Sequence, residues 1–229
     1  MLFRAQREDP NQKTTWRSSL VSVAGPFSEC REALRNGLVP CPVCGNPLSS
    51  RGFAPALGKI RGGDDVVGLG PGGERIRSWC GTCGKGHTLL PAPLAAHRAD
   101  TAAVLGRAVR AHARDGLGAG RIAAALGVPV RTVAGWLAQA RAFASRHLPA
   151  FAAMLESLGA GDEIPVIPGE DPVREMLAVL RMISSAASRR WGDPGIGEWD
   201  AVNLICRGRF ISGSLRSPFY PGLAYPGMA

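Results

Sequence analysis

Apolar residues recur at helical spacing through the second half of the chain and only briefly in the first. Leu105, Ala108, Val109 and His112 fall on one face of a helix that ends at DGLGAG. A shorter predicted helix carries Ile122, Ala123 and Leu126 and is broken by Gly127. A third runs from about Pro129 to Phe143, with Val133, Trp136, Leu137 and Ala140 as its buried stripe, and a fourth, LPAFAAMLESLG, closes the group. An acidic linker rich in Pro and Gly, GAGDEIPVIPGEDP at 159–172, separates this group from the next helix. Asp171 then Pro172 supplies a cap and a first-turn proline, and Val173, Met176, Leu177, Leu180 and Ile183 share one face behind them. WGDPGIGEW interrupts that helix, DAVNLICRGRF is a last short one, and the proline-containing tail is read as irregular.

The first half reads differently. Residues 1–36 are polar and basic and predict a flexible arm, with one short helix near Ser28–Arg35. From Gly37 to about Arg98, LSSRGFA and ERIRSW predict short strands. Between them Gly58, Gly62, Gly63, Gly68, Gly70, Gly72 and Gly73 mark a flexible excursion without a core of its own. The expected fold is mainly α with a small β zinc ribbon, in four parts: an arm at 1–36, a ribbon with a Gly-rich insertion at 37–98, a helix-turn-helix domain at 99–158, and a linker with C-terminal helices at 159–229.

Cysteine spacing adds the first chemistry. CPVCG at 41–45 and CGTCG at 80–84 are two Cys-x-x-Cys units, each followed by glycine, while Cys30 and Cys206 stand alone. The turn in such a unit puts both sulfurs on one side, and two units together complete a tetrahedral four-thiolate site. Cys41, Cys44, Cys80 and Cys83 are the expected ligands of a structural Zn2+; the alternatives are iron, since the first knuckle also resembles that of rubredoxin, and no metal at all. Four protein thiolates leave no position for a catalytic water. A redox pair needs a βαβ setting, which the pattern does not supply, and a disulfide framework would spread its cysteines along a short secreted chain. His87 is read as packing on the ribbon or hydrogen bonding a ligand sulfur, with ligation as the lesser alternative.

Charge then points to a polyanionic partner. The net charge is +9, and nearly all of the positive charge is arginine, with lysine only at Lys13, Lys59 and Lys85. High-GC coding inflates Arg together with Ala, Gly and Pro, so the bias alone is discounted. Its distribution is more telling: between Thr101 and Ala150 seven arginines face one acid, Asp115. In the same segment Ala123, Gly127 and Val133 have the spacing of a helix-turn-helix. LGVPVRTVAGWL is similar to the LGVS..TV..WL pattern of bacterial DNA-binding proteins, which implies double-stranded DNA as partner. The expected contacts are Arg121, Val130, Arg131, Thr132 and Arg141. Only Arg131 can reach a base edge bidentately, and Pro129 replaces the usual Ser or Thr cap. No stretch approaches the ~20 apolar residues of a membrane span. The start, MLFRAQREDPNQK, is charged where a signal peptide is apolar, so a cytoplasmic location without membrane contact is expected.

The order of these parts, two knuckles, GKGHTLLPAPLAAHRAD, then a helix-turn-helix, resembles an uncharacterised actinobacterial family whose ribbons end C..CG.THVLLP....RRAD and whose helices end TV.GWL. The resemblance covers roughly residues 38–158. It is similar in turn to the N-terminal DNA-binding region of insertion-sequence transposases. It implies Cys41, Cys44, Cys80 and Cys83 as metal ligands and the segment near 119–141 as the DNA reader. The chain departs from that pattern in its longer Gly-rich insertion and in His97–Arg98 at the basic pair. No transposase catalytic domain is expected: Asp162, Glu163, Glu170 and Asp171 lie in the linker rather than on strands, and Ser184, Ser185 and Ser188 have no neighbouring His. Trp191 and Trp199 are read as core in preference to base-stacking platforms. The expectation is a non-catalytic, transposase-derived or mobile-element DNA-binding protein, acting with a transposase or integrase partner or as a homodimer. The alternatives are a transcriptional regulator that senses or dimerises through its C-terminal region, and a ribbon adaptor for protein or RNA.

Overall fold

The computed structural model describes residues 19–23, 25–55, 60–62, 69–70, 73–96, 98–159, 171–192 and 195–211. The residues before Ser19, the linker acids Asp162, Glu163 and Glu170, His97 and the tail beyond Ile211 lie outside them. Within them the chain is mixed α/β, a broader class than the mainly α one expected.

Four strands form one sheet: β1 (Ser19–Val23), β2 (Ser49–Ala54), β3 (Arg75–Cys80) and β4 (Lys85–Pro91), in the order β1-β4-β3-β2. β2, β3 and β4 run antiparallel in succession, and β1 joins the far edge parallel to β4, Ser19 opposite His87 and Val23 opposite Pro91. Part of the segment read as an arm, Ser19–Val23, is therefore a strand. SLVSV is too short to signal a strand by itself; its ladder comes wholly from a partner far along the chain. Helix α1 (Phe27–Arg35) follows at the place expected and covers the sheet. Cys30 and Leu34 on α1 pack with Val39, Leu48, Ile76 and Leu89 in a small core that also holds Cys41 and Cys80. The Gly-rich excursion is anchored at its ends, because Ile60 and Leu69 pack on Leu90, Leu94 and Ala96.

Helices α2 (Ala102–Asp115), α3 (Ala119–Leu126), α4 (Val130–Ser157), α5 (Pro172–Trp191) and α6 (Glu198–Ile205) make up the rest. Thr101 caps α2, its hydroxyl accepting from the Val104 N–H at 3.4 Å, and Gly116 ends it at φ 64°. Where two helices were expected from Pro129 to Leu158, one helix of 28 residues runs straight through Pro149. Phe143, His147, Phe151 and Leu155 form an unbroken buried stripe across the proline. That tertiary burial outweighs the lost backbone bond.

All five helices share one core. Leu105 and Val109, Val133 and Trp136, Met176 and Leu180, and Val202 and Phe210 belong to a single buried cluster. Trp199 is within it, 8% exposed, as the core reading expected. Asn203, fully buried, ties this bundle to the sheet: its side-chain amide donates to the Ala92 and Leu94 carbonyls at 2.7 and 2.9 Å, just beyond β4. Among the described residues no single helix is long and apolar enough to cross a membrane.

Candidate metal centre and basic helical surface

The two knuckles are brought together by different elements. The first follows α1 in a tight loop that Leu48 closes on Val39, its N–H 2.9 Å from the Val39 carbonyl. Within it the Cys41 N–H donates to the Asn46 carbonyl at 2.7 Å and the Gly45 N–H to the Cys41 carbonyl at 2.9 Å. The second knuckle is the β3–β4 hairpin itself, where the Gly84 N–H meets the Cys80 carbonyl at 3.0 Å. Gly45 and Gly84 hold φ of 75° and 64°, which lets each chain fold back beside its sulfurs without a Cβ clash.

The four sulfurs of Cys41, Cys44, Cys80 and Cys83 all lie within 4.8 Å of one another. Across the knuckles Cys41 Sγ is 3.6 Å from Cys83 Sγ, and Cys44 Sγ is 3.5 Å from Cys80 Sγ. Four thiolates set tetrahedrally at about 2.3 Å from an ion stand about 3.8 Å apart, so the cluster has the size of a four-thiolate metal site. The donor set suits zinc and iron alike. Cys41 and Cys80 are buried, Cys83 is half-buried and Cys44 exposed, so the site opens to solvent on one side.

Hydrogen bonds divide the thiols. The Asn46 backbone N–H and then its side-chain amide favour the Cys44 thiolate and hold its pKa down at about 6. Burial first, then the neighbouring Cys80 and Cys41 sulfurs, pushes Cys83 up to about 12. Burial also raises Cys41, although the Val43 N–H points at its sulfur from 3.4 Å. A cation is the natural answer to four crowded sulfurs, because it removes the repulsion that otherwise keeps protons on them. His87 is buried on β4, its Nε2 3.4 Å from Cys41 Sγ, in the outer position that hydrogen bonds a ligand sulfur. Asn46 was not picked out from the sequence; its only signal is an amide directly after the Cys-x-x-Cys-Gly turn.

The expected DNA contacts lie on α3 and α4, whose axes are bent by 118° across the break at Gly127–Pro129. Ala123, Val128, Val133 and Trp136 are buried between them, and Gly127 turns the chain at φ 62°. Arg121, Arg131 and Arg141 are exposed, Val130 is 54% exposed at the start of α4, and Thr132 is half-buried. Arg131, Ala134, Ala138 and Arg141 form one exposed stripe at i, i+3, i+7 and i+10 along α4. The cysteine cluster packs into the small core under α1, whereas α3 and α4 pack into the helical core. No protein-family profile, no curated protein and no solved structure matches the chain.

Proposed function

We propose that the protein is a non-catalytic, zinc-stabilised DNA-binding protein, with Cys41, Cys44, Cys80 and Cys83 holding a structural zinc ion and α3–α4 acting as a helix-turn-helix. The observation that carries this reading is the pair of helices bent by 118° around a glycine turn, with arginines of one sign exposed along the second. Helix-turn-helix pairs meet at about 90–120°, and the second helix enters the major groove by its N-terminal residues. Here those residues are Val130, Arg131, Ala134 and Gly135: small side chains that admit the helix deeply, with one guanidinium to read a base. Phosphate contacts therefore supply most of the affinity. A ribbon followed by such a helix pair fits descent from a transposase or residence in a mobile element, a reading that rests on the order and spacing of motifs.

Titration of random duplex DNA with the zinc-loaded protein tests this. With four or five arginines on phosphate, log K falls against log salt with a slope of about −4. Arg131→Ala reduces the slope by about 1 if it meets phosphate, or relaxes preference at one base position if it meets a base edge. Salt-independent binding, or none, overturns the reading.

A further inference from the structure

Helix α1 covers one face of the sheet, and the other face carries a different chemistry. Ile76, Cys80 and Leu89 enter the small core under α1, so by alternation Arg75, Arg77 and Trp79 of β3 point away from it. Ser49 lies opposite Trp79 on that far face, and Thr88 opposite Arg77. Arg51, on the edge strand β2, joins them, its guanidinium stacked on the Trp79 indole at 4.6 Å. The four strands together carry Arg51, Arg75, Arg77 and Lys85 and no Asp or Glu. Glu74, directly before β3, is one residue out of phase with Arg75, and its carboxylate turns toward Gly70, where Phe27 of α1 also packs.

Arg51 and Arg77 are exposed, and Arg75 is half-buried. None of the three forms an ion pair among the described residues. Arg75 is the telling one: its Nε is buried with no hydrogen-bond partner, and burial lowers its pKa with no carboxylate to offset it. A guanidinium withdrawn from water without an acceptor is unfavourable, so the partner this face lacks is an anionic oxygen. Arg51 adds a flat surface to the charge. A guanidinium plane laid on an indole and exposed above it extends the stack, and a nucleobase can continue it. Further along the same edge strand Phe53 is 50% exposed, with the Arg31 guanidinium 5.8 Å from its ring centroid.

We propose that the face of β2 and β3 turned away from α1 binds a single strand of nucleic acid, its phosphates on Arg75 and Arg77 and a base stacked on the Arg51 guanidinium. A duplex offers phosphates but keeps its bases stacked inside, so it can use the two arginines and not the Arg51–Trp79 platform. An acidic protein segment likewise meets the charges alone. No residue of α3 or α4 takes part, so this site stands or falls apart from the duplex reading.

Fluorescence anisotropy of a labelled dT oligonucleotide of about 12 residues, titrated with the metal-loaded full chain, tests the site. Saturable binding is expected, and with two phosphates neutralised log K falls against log salt with a slope of about −1.4. Arg77→Ala is expected to bring that slope to about −0.7. Arg51→Lys, which keeps the charge but loses the planar stack, is expected to weaken binding about fivefold or more. Lys85→Ala removes a cation from the α1 side of the same sheet and should leave binding unchanged. Arg131→Ala should also leave it unchanged, whatever it does to duplex binding. No anisotropy change at submillimolar protein, equal loss in Lys85→Ala and Arg77→Ala, or an Arg51→Lys variant that binds like the parent overturns the proposal. Competition by polyglutamate as strong as by unlabelled dT overturns it too, since the face would then read charge alone. So does loss of dT binding in Arg131→Ala, which would place the strand on α4.

Discussion

Gly106 and Gly135 occupy helix interiors and have opposite reasons to be glycine. A Cβ on Gly106 would lie 2.0–2.4 Å from the Trp199 indole, so α2 meets α6 only because that position has no side chain. The indole cannot retreat easily, with Phe210 at 5.8 Å and the Arg110 guanidinium over its ring. Gly106→Ala is therefore expected to cost about 1–3 kcal/mol by overpacking, despite the better helix propensity of alanine. Gly135 has nothing within 4 Å of an added Cβ. Gly135→Ala should gain about 0.5–1 kcal/mol through propensity alone. Urea titrations of the two variants check both signs. A neutral Gly106→Ala would mean that α6 can move off α2.

Helix α4 sets the next scale, because a proline in its interior should have split it. Pro149 cannot donate to the carbonyl of Ser145 and its ring crowds that turn, a cost of about 3 kcal/mol in an ordinary helix. The helix continues because Phe143 and His147 before the proline and Phe151 and Leu155 after it all enter the same core. Pro149 itself is exposed, so Pro149→Ala removes the penalty without opening a cavity. A gain of about 1–2 kcal/mol is expected, part of the 3 being offset by the extra freedom of the unfolded chain. Circular dichroism during thermal melting checks it; no gain would mean that the two segments abut rather than share one ladder. The same helix shows why sequence reading stopped where it did. Proline is a local signal, and the burial that overrides it comes from α5, which the local pattern around Pro149 does not contain. SLVSV and GKGHTLLP were missed as strands for a similar reason, since β1 and β4 take their ladders from each other and from β3. The cysteine cluster was legible because Cys-x-x-Cys-Gly carries its turn within itself. The exposed arginines of α3 and α4 were legible as charge, but the cavity that Arg110, Arg114, Arg174 and Arg181 line between α2, α5 and α6 was not, because it exists only after three distant helices pack.

At the scale of the molecule the two cores differ in what sustains them. The helical core runs from Ala95 to Ile211 and contains none of the four clustered cysteines, whereas two of them, Cys41 and Cys80, are buried members of the small core under α1. A core of that size buries little apolar surface to offset the ordering of its Gly-rich loops, and a metal ion held by the four thiolates would supply the difference. The cores meet beyond β4, where Asn203 holds the Ala92 and Leu94 carbonyls and the Arg61 guanidinium holds Asp100 at 2.5 Å. Every one of those groups lies on the helical side of the thiols or in the excursion. A strong chelator at neutral pH is therefore expected to abolish hydrogen-exchange protection in residues 39–54 and 75–88 while amides of α2, α4 and α5 remain protected. The Trp79 indole, which Arg51 covers at 4.6 Å, should report the same loss by fluorescence. Cys44→Ser should behave like chelation, because Cys44 is the exposed thiol of the four and its removal disturbs no packing. Loss of protection throughout the chain on chelation would show instead that the two cores fold as one unit, with the Asn203 clamp as their coupling.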